Sequence, residues 1–482
     1  MTGTDLFNRY ETYKGMFDEM CIDHAIRSQY SKVFEDMSEI PVDVLRQKDV
    51  QAGELFMNQG ITFTVYNDDA GIERIFPFDI IPRILTVAEW EHIETGIKQR
   101  LRALNLFLKD IYSNQQIVKD GVIPAELIAT CPHYTREVFG IKVPHDLFVH
   151  ISGIDLIRSE NGTFYILEDN LRTPSGVSYM LANREVTKRI FPEMLSNSRV
   201  RMVSNYPLLL HNILASLSPQ QVANPTVVLL TPGVFNSAYF EHTFLARQMG
   251  IALVEGRDLV VDNQKVYMKT TAGLQRVHVI YRRIDDEYLD PLVFNPNTIL
   301  GVPGLMSAYR KGNVAIANAV GNGVADDKAV YAYVPEMIKY YLNEEIILPN
   351  VPTYSLENED VRKYVFDNME KMVLKRTYQS GGYGMLMGNK AAEKEMKAFK
   401  KTVKATPREF IAQPIIKLST VPCFIDGKLQ PRHVDLRPYA LCGPNGIHIV
   451  PGGLTRVALR EGSLVVNSSQ GGGSKDTWVV DF

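Results

Sequence analysis

The spacing of apolar residues predicts helices at the start of the chain and one long helix further on. Up to about residue 50, charged and apolar residues are mixed at the spacing of amphipathic helices. Between Val87 and Ile111, apolar residues recur every three or four positions, which predicts a helix with one buried face. This face is formed by Ile93, Ile97, Leu101, Leu104 and Leu108. Before it, Gly60 to Tyr66 alternates as a strand does, and Asn67 to Gly71 is typical of a turn.

From about residue 220 the pattern changes to continuous apolar runs. Thr226 to Leu230 and Ile251 to Val254 resemble buried parallel strands, and a helix-like stretch from about Ala238 to Met249 lies between them. This order predicts a βαβ unit, to which Val279 to Tyr281 adds a further strand. A last unit begins near Asp326, with helices followed by short strands. The pattern therefore predicts a mixed α/β (α+β) fold without internal repeats.

Residues 147–170 predict a β-hairpin. Phe148 to Arg158 forms one arm, Ser159 to Gly162 the turn, and Thr163 to Leu167 the other arm. The Asn-Gly pair in the turn is a strong hairpin signal because both residues tolerate positive φ. The hairpin determines which polar side chains share a face.

Three residues of this hairpin are candidates for binding a divalent cation. Glu168 and Asn170 are two positions apart at a strand end, so they face the same side. A turn of two or four residues places Asp155 opposite Glu168 on that face, whereas a loop of odd length turns it to the other face. Two carboxylates and an amide oxygen suit Mg²⁺, which takes one or two carboxylates together with substrate phosphates. The alternative is a solvated acidic hairpin.

The segment that follows the hairpin, Arg172 to Gly176, is a turn with polar donors beside the acids. Turns of this composition suit anion binding, because backbone and side-chain donors point outward together. An ordinary loop is the alternative interpretation.

A strand that ends in Lys375 leads into a glycine-rich loop. Glycine lets backbone N–H groups approach phosphate oxygens closely, and the lysine adds a positive charge. The loop lacks the Gly-x-x-x-x-Gly-Lys-Ser/Thr order of a P-loop, and a strand follows it where a P-loop has a helix. Its candidate phosphate-binding residues are Ser380, Gly381, Gly382 and Gly384. A flexible hairpin without a ligand is the alternative.

Phe410 to Ile416 places apolar residues around one amide and one proline. An adenine site needs an apolar slot with a few amide or backbone partners, so Gln413 and Ile415 are candidates for it. A plain core strand is the alternative.

Arg432, Asp435 and Arg437 lie on one predicted strand, and Asp435 and Arg437 share a face. Arginines suit a triphosphate or a phosphoryl group in transfer. The alternative is a surface salt bridge. Near the end of the chain, Asn467 to Trp478 is rich in glycine and serine. The apolar residues that follow favour a packed glycine loop over a flexible tail.

Composition and charge argue against several classes of partner and of metal site. The 482 residues include 52 basic and 55 acidic side chains, and the net charge of −3 gives no electrostatic reason to expect nucleic acid or an anionic membrane as a partner. The four cysteines form no Cys-x-x-Cys pair, which argues against a structural zinc site or a disulfide framework. No segment approaches the roughly 20 apolar residues of a membrane span, and the first residues do not have the pattern of a secretion signal. We therefore expect a cytoplasmic protein.

Together these motifs resemble the ATP-grasp superfamily. Asp155 with Glu168 and Asn170 is similar to its metal-binding acid and its Glu-x-Asn motif, and Lys375 with the glycine loop is similar to its phosphate-binding loop. Asp327-Lys328 is similar to the pair that brings a second lysine to the nucleotide. The metal motif usually comes last, whereas here it precedes the glycine loop. This order resembles the circularly permuted ATP-grasp family (type 2) and its glutathionylspermidine synthase-like members.

The resemblance implies an enzyme that uses ATP and Mg²⁺ to join a carboxylate to an amine through an acyl phosphate, with release of ADP and phosphate. Asp155, Glu168 and Asn170 would hold Mg²⁺, and Lys328 and Lys375 would position the phosphates. A kinase or an ATP hydrolase on the same fold, or a non-catalytic ATP-binding partner protein, is the alternative.

Arginine positions depart from the usual arrangement of the superfamily. An arginine often precedes the metal aspartate by two residues in ATP-grasp ligases, but Gly153 stands there in this chain. Arg437 or Arg432 is a candidate to supply that charge. Arg283 and Arg310 are candidates for the acceptor site in the βαβ unit.

The resemblance also predicts how the chain is divided. An N-terminal, mostly helical segment (1–145) packs on the ATP-grasp core, and the permuted metal-binding part follows (146–215). An α/β pre-ATP-grasp-like domain (216–325) precedes the ATP-binding domain with the glycine-rich loop (326–482). The implied substrates are small-molecule or peptide carboxylates and amines, and a helical companion protein encoded nearby is the implied partner.

Overall fold

Helices and several sheets make up the mixed α/β fold of the computed structural model. It describes residues 3–23, 25–64, 73–219, 222–378, 384–463, 466 and 472–481. The α-helices are α1 (Gly3–Asn8), α2 (Ser31–Ser38), α3 (Val42–Asn58), α4 (Val87–Ile111), α5 (Gln116–Lys119), α6 (Ala125–Ala129), α7 (Val177–Ile190), α8 (Pro192–Asn197), α9 (Tyr206–Ser216), α10 (Tyr239–Met249), α11 (Leu305–Arg310), α12 (Lys328–Tyr331), α13 (Val334–Leu342), α14 (Glu359–Asp367) and α15 (Glu393–Ala405).

The strands are short and come from every part of the chain. They are β1 (Cys21–Ile22), β2 (Ala25–Ile26), β3 (Thr62–Thr64), β4 (Glu73–Ile75), β5 (Phe78–Thr86), β6 (Ile151–Arg158), β7 (Phe164–Asn170), β8 (Val227–Leu230), β9 (Ala252–Val254), β10 (Leu259–Asp262), β11 (Lys265–Thr270), β12 (Gly273–Val277), β13 (Val279–Arg282), β14 (Ala315–Ala317), β15 (Tyr354–Ser355), β16 (Met372–Arg376), β17 (Leu386–Met387), β18 (Phe410–Pro414), β19 (Thr420–Ile425), β20 (Lys428–Arg437), β21 (Tyr439–Gly443), β22 (Gly446–Ile449), β23 (Leu454–Val457) and β24 (Gly473–Val480).

Helix α4 confirms the prediction from apolar spacing at both of its ends. Thr86 caps its first turn: the Thr86 hydroxyl accepts from the backbone N–H of Glu89, and the Glu89 carboxylate accepts from the backbone N–H of Thr86. Such a reciprocal capping box satisfies two N–H groups that have no partner inside the helix. The apolar face of α4 lies in the largest core of the protein. This central helix is therefore specified by local sequence at its start and by burial along its length.

The largest sheet joins strands from both ends of the chain. Its hydrogen-bonded order is β22-β21-β6-β20-β23-β24-β5, with β7 paired to β6 and β19 paired to β20. Strand β5, which the sequence pattern did not predict, runs parallel to β24. All residues of β24 are buried, so Ser474 to Trp478 is packed, but as a strand where the sequence predicted a loop; residues 467–471 lie outside the described residues. Residues 65–66 and the predicted turn at 67–71 also lie outside them.

Two four-stranded sheets contain other segments that the sequence predicted. The parallel sheet β14-β13-β8-β9 confirms the predicted βαβ unit, with α10 connecting β8 to β9. The antiparallel sheet β15-β18-β16-β17 carries the strand that ends near Lys375 and packs with α14 and α15 on a separate small core. The predicted division of the chain into four segments stays a prediction. The strands of the last predicted segment, 326–482, belong to two sheets, this small one and the largest one.

A β-bulge determines the face on which Asp155 lies. Arg158 pairs with Phe164, so the connecting loop has five residues, 159–163. An odd loop alone would turn Asp155 away from Glu168. The register shifts beyond Leu156, however, and the extra residue lets Asp155 pair directly with Glu168. The two carboxylates therefore share one face because two one-residue irregularities cancel.

Ion pairs without solvent access connect the N-terminal segment to the largest sheet. The Arg83 guanidinium on β5 donates to both carboxylate oxygens of Glu19, at 2.8 and 2.6 Å, and to the carbonyl oxygen of Asp435 at 2.9 Å. The Ser419 hydroxyl donates to Glu19 at 2.7 Å. Burial disfavours the charged carboxylate, but Arg83 and Arg158 outweigh it and lower the pKa of Glu19. Glu19 is therefore held as an anion inside the protein.

We expect Glu19→Gln to destabilise the protein by about 3–5 kcal/mol, because it leaves the buried Arg83 cation without its counter-ion. Equilibrium urea unfolding can be followed by the fluorescence of the two tryptophans, both fully buried. The matched control is Glu393→Gln, which removes a pair with Lys397 whose side chains are 75–80% exposed and should change stability by less than about 1 kcal/mol. Equal losses in the two variants would contradict the prediction.

Candidate active site

The hairpin brings together the three residues predicted to bind metal. Asp155 pairs with Glu168, and Asn170 pairs with Gly153 at the end of the same two strands. The buried amide nitrogen of Asn170 has no hydrogen-bond partner among the described residues. Glu168 is partly exposed, and the Lys328 ammonium lies 3.4 Å from its Oε2. Carboxylate and amide oxygens at a partly open edge have the chemistry that Mg²⁺ prefers.

Two lysines reach this edge from different elements. Lys328 begins α12, where its backbone N–H donates to the carbonyl of Thr377 at 2.9 Å and so ties the helix to the end of β16. Lys375 lies on β16, and its ammonium donates to Oε1 of Gln413 on β18 at 2.8 Å. The amide nitrogen of Gln413 donates in turn to the Thr353 hydroxyl at 3.0 Å. This bond between neighbouring strands fixes the position of the Lys375 ammonium, and the charges of Glu168 and Asp155 act on it.

Burial sets the charge of Lys375. Desolvation lowers the pKa of its amine to about 8. Glu168 and Asp155 raise that pKa, whereas Lys328 lowers it further. The charges of these four side chains therefore influence one another. At neutral pH Lys375 is a cation, but one that burial makes easy to deprotonate.

Arg437 reaches Asp155 across Gly153. The Arg437 Nε donates to Oδ1 of Asp155 and its Nη2 donates to Oδ2 at 2.8 Å. A Cβ built on Gly153 would lie 3.2 Å from Cδ of Arg437, so the glycine leaves room for the arginine side chain. Arg437 Nη1 also donates to the carbonyl of Ser175 at 3.2 Å. The aliphatic part of the Arg437 side chain thus lies close to where a side chain at position 153 would begin.

Arg456 was missed by sequence reasoning and completes this network. It lies on β23, and its Nη2 donates to Oδ2 of Asp155 at 2.7 Å and also to Asp435. Its Nε donates to Oδ1 of Asp435 at 3.0 Å. Burial opposes ionisation of Asp155, but Arg437 and Arg456 outweigh it and lower its pKa to about 2. The available signal was a lone charged residue inside an apolar strand, in Leu-Thr-Arg-Val.

The model of the family described as circularly permuted ATP-grasp type 2 matches residues 82–458. The chain belongs to the circularly permuted ATP-grasp family. It is 54% identical over 454 residues to the Synechocystis protein named uncharacterized protein sll0335, and the match covers 94% of each chain. It is 41% identical over 458 residues to a Frankia casuarinae protein with the provisional name glutamate–cysteine ligase 2-2, and that match covers 94% of this chain but 52% of the relative.

Among solved structures, the chain is similar to a glutathione synthetase-like effector from Globodera pallida in its apo form. The TM-score is 0.59 at 12% sequence identity, with 92% of this chain and 98% of the effector covered. At this identity the likeness concerns the fold, and it agrees with the resemblance that the order of the motifs indicated. Across the residues that the structure describes, every helix is too short or too polar to cross a lipid bilayer.

Not all predicted site residues of this ATP-grasp protein lie beside Asp155 and Glu168. The Arg432 guanidinium donates to the carbonyls of Leu459 and Pro431 and to Oε1 of Gln430, rather than to Asp155. Exposed Arg310 donates to the carbonyl of Glu137 at 3.0 Å, away from the hairpin. The structure therefore places Arg437, and neither of these two arginines, beside the carboxylates.

The predicted nucleotide contacts are described only in part. Gly384 has a φ of +67°, a conformation that favours glycine, whereas Ser380, Gly381 and Gly382 lie outside the described residues. The backbone N–H of Ile415 donates to the carbonyl of Lys371 at 2.9 Å, just beyond β18. Their predicted roles in ATP binding stay predictions.

Arg283 connects the parallel sheet to the segment that follows the metal motif. Its guanidinium donates to the carbonyl of Pro174 at 2.6 Å and to Oε1 of Glu241 at 3.0 Å. Glu241, fully buried on α10 and missed by sequence reasoning, accepts with Oε2 from the backbone N–H groups of Gly176 and Ser178 at 2.7 and 3.1 Å. A carboxylate at the start of α7 also complements the helix dipole. The loop after Asn170 is therefore held firmly by the βαβ unit.

We expect ATP binding to take up a proton above about pH 8 and to weaken as the pH rises further. In the free protein Lys375 is largely neutral above its pKa of about 8, and nearby phosphate charge raises that pKa, so binding favours reprotonation. Calorimetry in buffers of different ionisation enthalpy measures this uptake. Lys375→Arg keeps its charge at these pH values and should show no uptake. An identical proton uptake in Lys375→Arg would contradict the conclusion that Lys375 is the group that takes up the proton.

Proposed function

We propose that the protein is an ATP- and Mg²⁺-dependent ligase that joins a carboxylate to an amine. The observation that carries this proposal is the convergence of Glu168 and Asn170 with Lys328 and Lys375 at one partly open edge, in a chain of the ATP-grasp family. Oxygen ligands for a hard cation lie beside two ammonium groups, an arrangement suited to the triphosphate of ATP.

The residues present fit a magnesium ion. Glu168 keeps 19% of its side chain exposed, and the amide group of Asn170 has a buried nitrogen without a partner among the described residues. When bound, Mg²⁺ would offset the negative charge on the β- and γ-phosphate oxygens. Glu168 and Asn170 would hold it by their oxygens.

The proposed reaction has two steps. A carboxylate oxygen of the acid substrate attacks the γ-phosphorus of ATP, the bond to the β-γ bridging oxygen breaks, and an acyl phosphate and ADP form. An amine nitrogen then attacks the acyl carbon, the C–O bond to phosphate breaks, and the amine proton leaves with solvent or phosphate. Lys328 and Lys375 would position the phosphates, and Arg437 would stabilise the charge that develops in transfer. No step needs a covalent bond to the protein.

Relatives suggest substrates to test first. The Frankia relative is named as a glutamate–cysteine ligase, and about half of its length matches this chain. L-Glutamate and L-cysteine are therefore the first pair to test, followed by other amino acids and by polyamines. Formation of an amide product separates a ligase from a kinase or an ATP hydrolase, which release ADP without joining the two substrates.

We expect ATP with Mg²⁺ to raise the melting temperature of the wild-type protein and to raise that of Glu168→Gln much less. A ligand at 100 times its dissociation constant stabilises the folded state by about 2.7 kcal/mol through mass action. The matched control is Glu160→Gln in the exposed turn of the same hairpin, which should respond like wild type. The absence of any shift in wild type at millimolar ATP would count against the site. ADP release with the substrate panel, together with mass spectrometry of the product, then tests the reaction.

A further inference from the structure

The structure gives Asp155 different partners from those of Glu168, although the sequence placed both in the metal site. Three N–H groups from two arginines point at the two oxygens of Asp155: Nε and Nη2 of Arg437 and Nη2 of Arg456. A carboxylate offers about four acceptor positions. Most of the binding capacity of Asp155 is therefore already used inside the protein.

The charge around Asp155 also disfavours a cation. Asp155 and Asp435 face Arg437 and Arg456, so two anions balance two cations in a group of which only Arg437 is partly exposed. A divalent ion on Asp155 would lie next to two guanidiniums, and like charges in a region of low dielectric repel strongly. At Glu168 the contact is looser, with the Lys328 ammonium 3.4 Å away.

We propose that Asp155 does not bind the metal and instead positions Arg437, while Glu168 and Asn170 hold Mg²⁺ together with the phosphates. The inference rests on the proposed function, because it assumes that Mg²⁺ and ATP bind at this edge. A single carboxylate is sufficient for such a site, since Mg²⁺ is commonly bound by one or two carboxylates plus substrate phosphates and water.

The contacts show how Asp155 would act through Arg437. The arginine side chain crosses the space above Gly153, and its guanidinium is fixed by both oxygens of Asp155 and by the Ser175 carbonyl. About 12% of the Arg437 side chain stays exposed. A planar guanidinium held in this way is well suited to contact a phosphoryl group. Asp155 is thus a positioning residue, and Arg456 with Asp435 supports it from the neighbouring strand.

The first test compares metal affinity among variants. Free Mn²⁺ is measured by electron paramagnetic resonance in the presence of the non-hydrolysable ATP analogue AMPPNP. We expect Asp155→Asn to bind Mn²⁺ within about threefold of wild type, whereas Glu168→Gln binds it about tenfold or more weakly. Arg432→Gln, an arginine on the same strand without a contact to Asp155, is the matched control and should behave like wild type.

The second test is a double-mutant cycle on AMPPNP affinity, measured by calorimetry at saturating Mn²⁺. Asp155→Asn and Arg437→Gln should each weaken AMPPNP binding. If Asp155 acts through Arg437, the double variant should bind AMPPNP no more weakly than Arg437→Gln alone. A purely structural role for Asp155 would not produce this dependence on Arg437.

Two results would overturn the inference: a loss of Mn²⁺ affinity in Asp155→Asn as large as in Glu168→Gln, or losses of AMPPNP affinity that add in the double variant. If Asp155→Asn does not fold because two guanidiniums lose their anion, the double variant removes one of those cations and still reports the Mn²⁺ affinity. In that case an affinity near wild type supports the inference, and a tenfold loss overturns it. If wild type binds no Mn²⁺ with AMPPNP, the proposed function fails and the inference falls with it.

Discussion

Burial of paired charges between distant parts of the chain is the constraint on which this structure depends. Asp155 meets Arg437 and Arg456 although 282 and 301 residues separate them along the chain. An ionised side chain in the protein interior is tolerable only when its counter-ion and hydrogen-bond partners are in place. Strands β6, β20 and β23 must therefore be adjacent before the centre of the largest sheet can exclude water. The same requirement places the predicted metal hairpin among strands from the end of the chain.

A second buried pair, Arg283 and Glu241, couples the parallel sheet to the segment beside Glu168 and Asn170. Arg283 and Glu241 belong to the βαβ unit, but they form hydrogen bonds with the segment after the metal motif. Arg283 donates to the carbonyl of Pro174, and Glu241 accepts from Gly176 and Ser178. That segment is consequently fixed at one end by β7 and at the other by α10. A molecule bound at the carboxyl edge of the parallel sheet would contact a loop that is already fixed relative to Glu168. In the reaction proposed above, this would favour precise alignment of the acceptor with the acyl phosphate.

Sequence reasoning predicted the elements whose signals are local. The periodic face and the Thr86–Glu89 capping box define α4, and continuous apolar runs define β8 and β9. It failed where pairing depends on distant residues. Strand β5 pairs with β24, and both of its faces are buried. It therefore lacks the alternation of apolar and polar residues that marks a half-buried strand. Parity did contain a clue about the arginines: positions 432 and 437 differ by an odd number, so only Arg437 shares a strand face with Asp435. The pairing of Arg456 with Asp155 was out of reach because nothing local reveals which anion a buried arginine faces.

The bulge between the hairpin strands affects how this site can change in evolution. The five-residue loop and the register shift beyond Leu156 each reverse the face of Asp155, and together they restore it. A deletion of one residue in the turn alone would separate Asp155 from Glu168, whereas insertion of two residues would preserve the pairing. Turn length in descendants of this protein should therefore vary in steps of two, or together with loss of the bulge. The hairpin thus restricts the permitted insertions and deletions by parity, independently of which residues they contain.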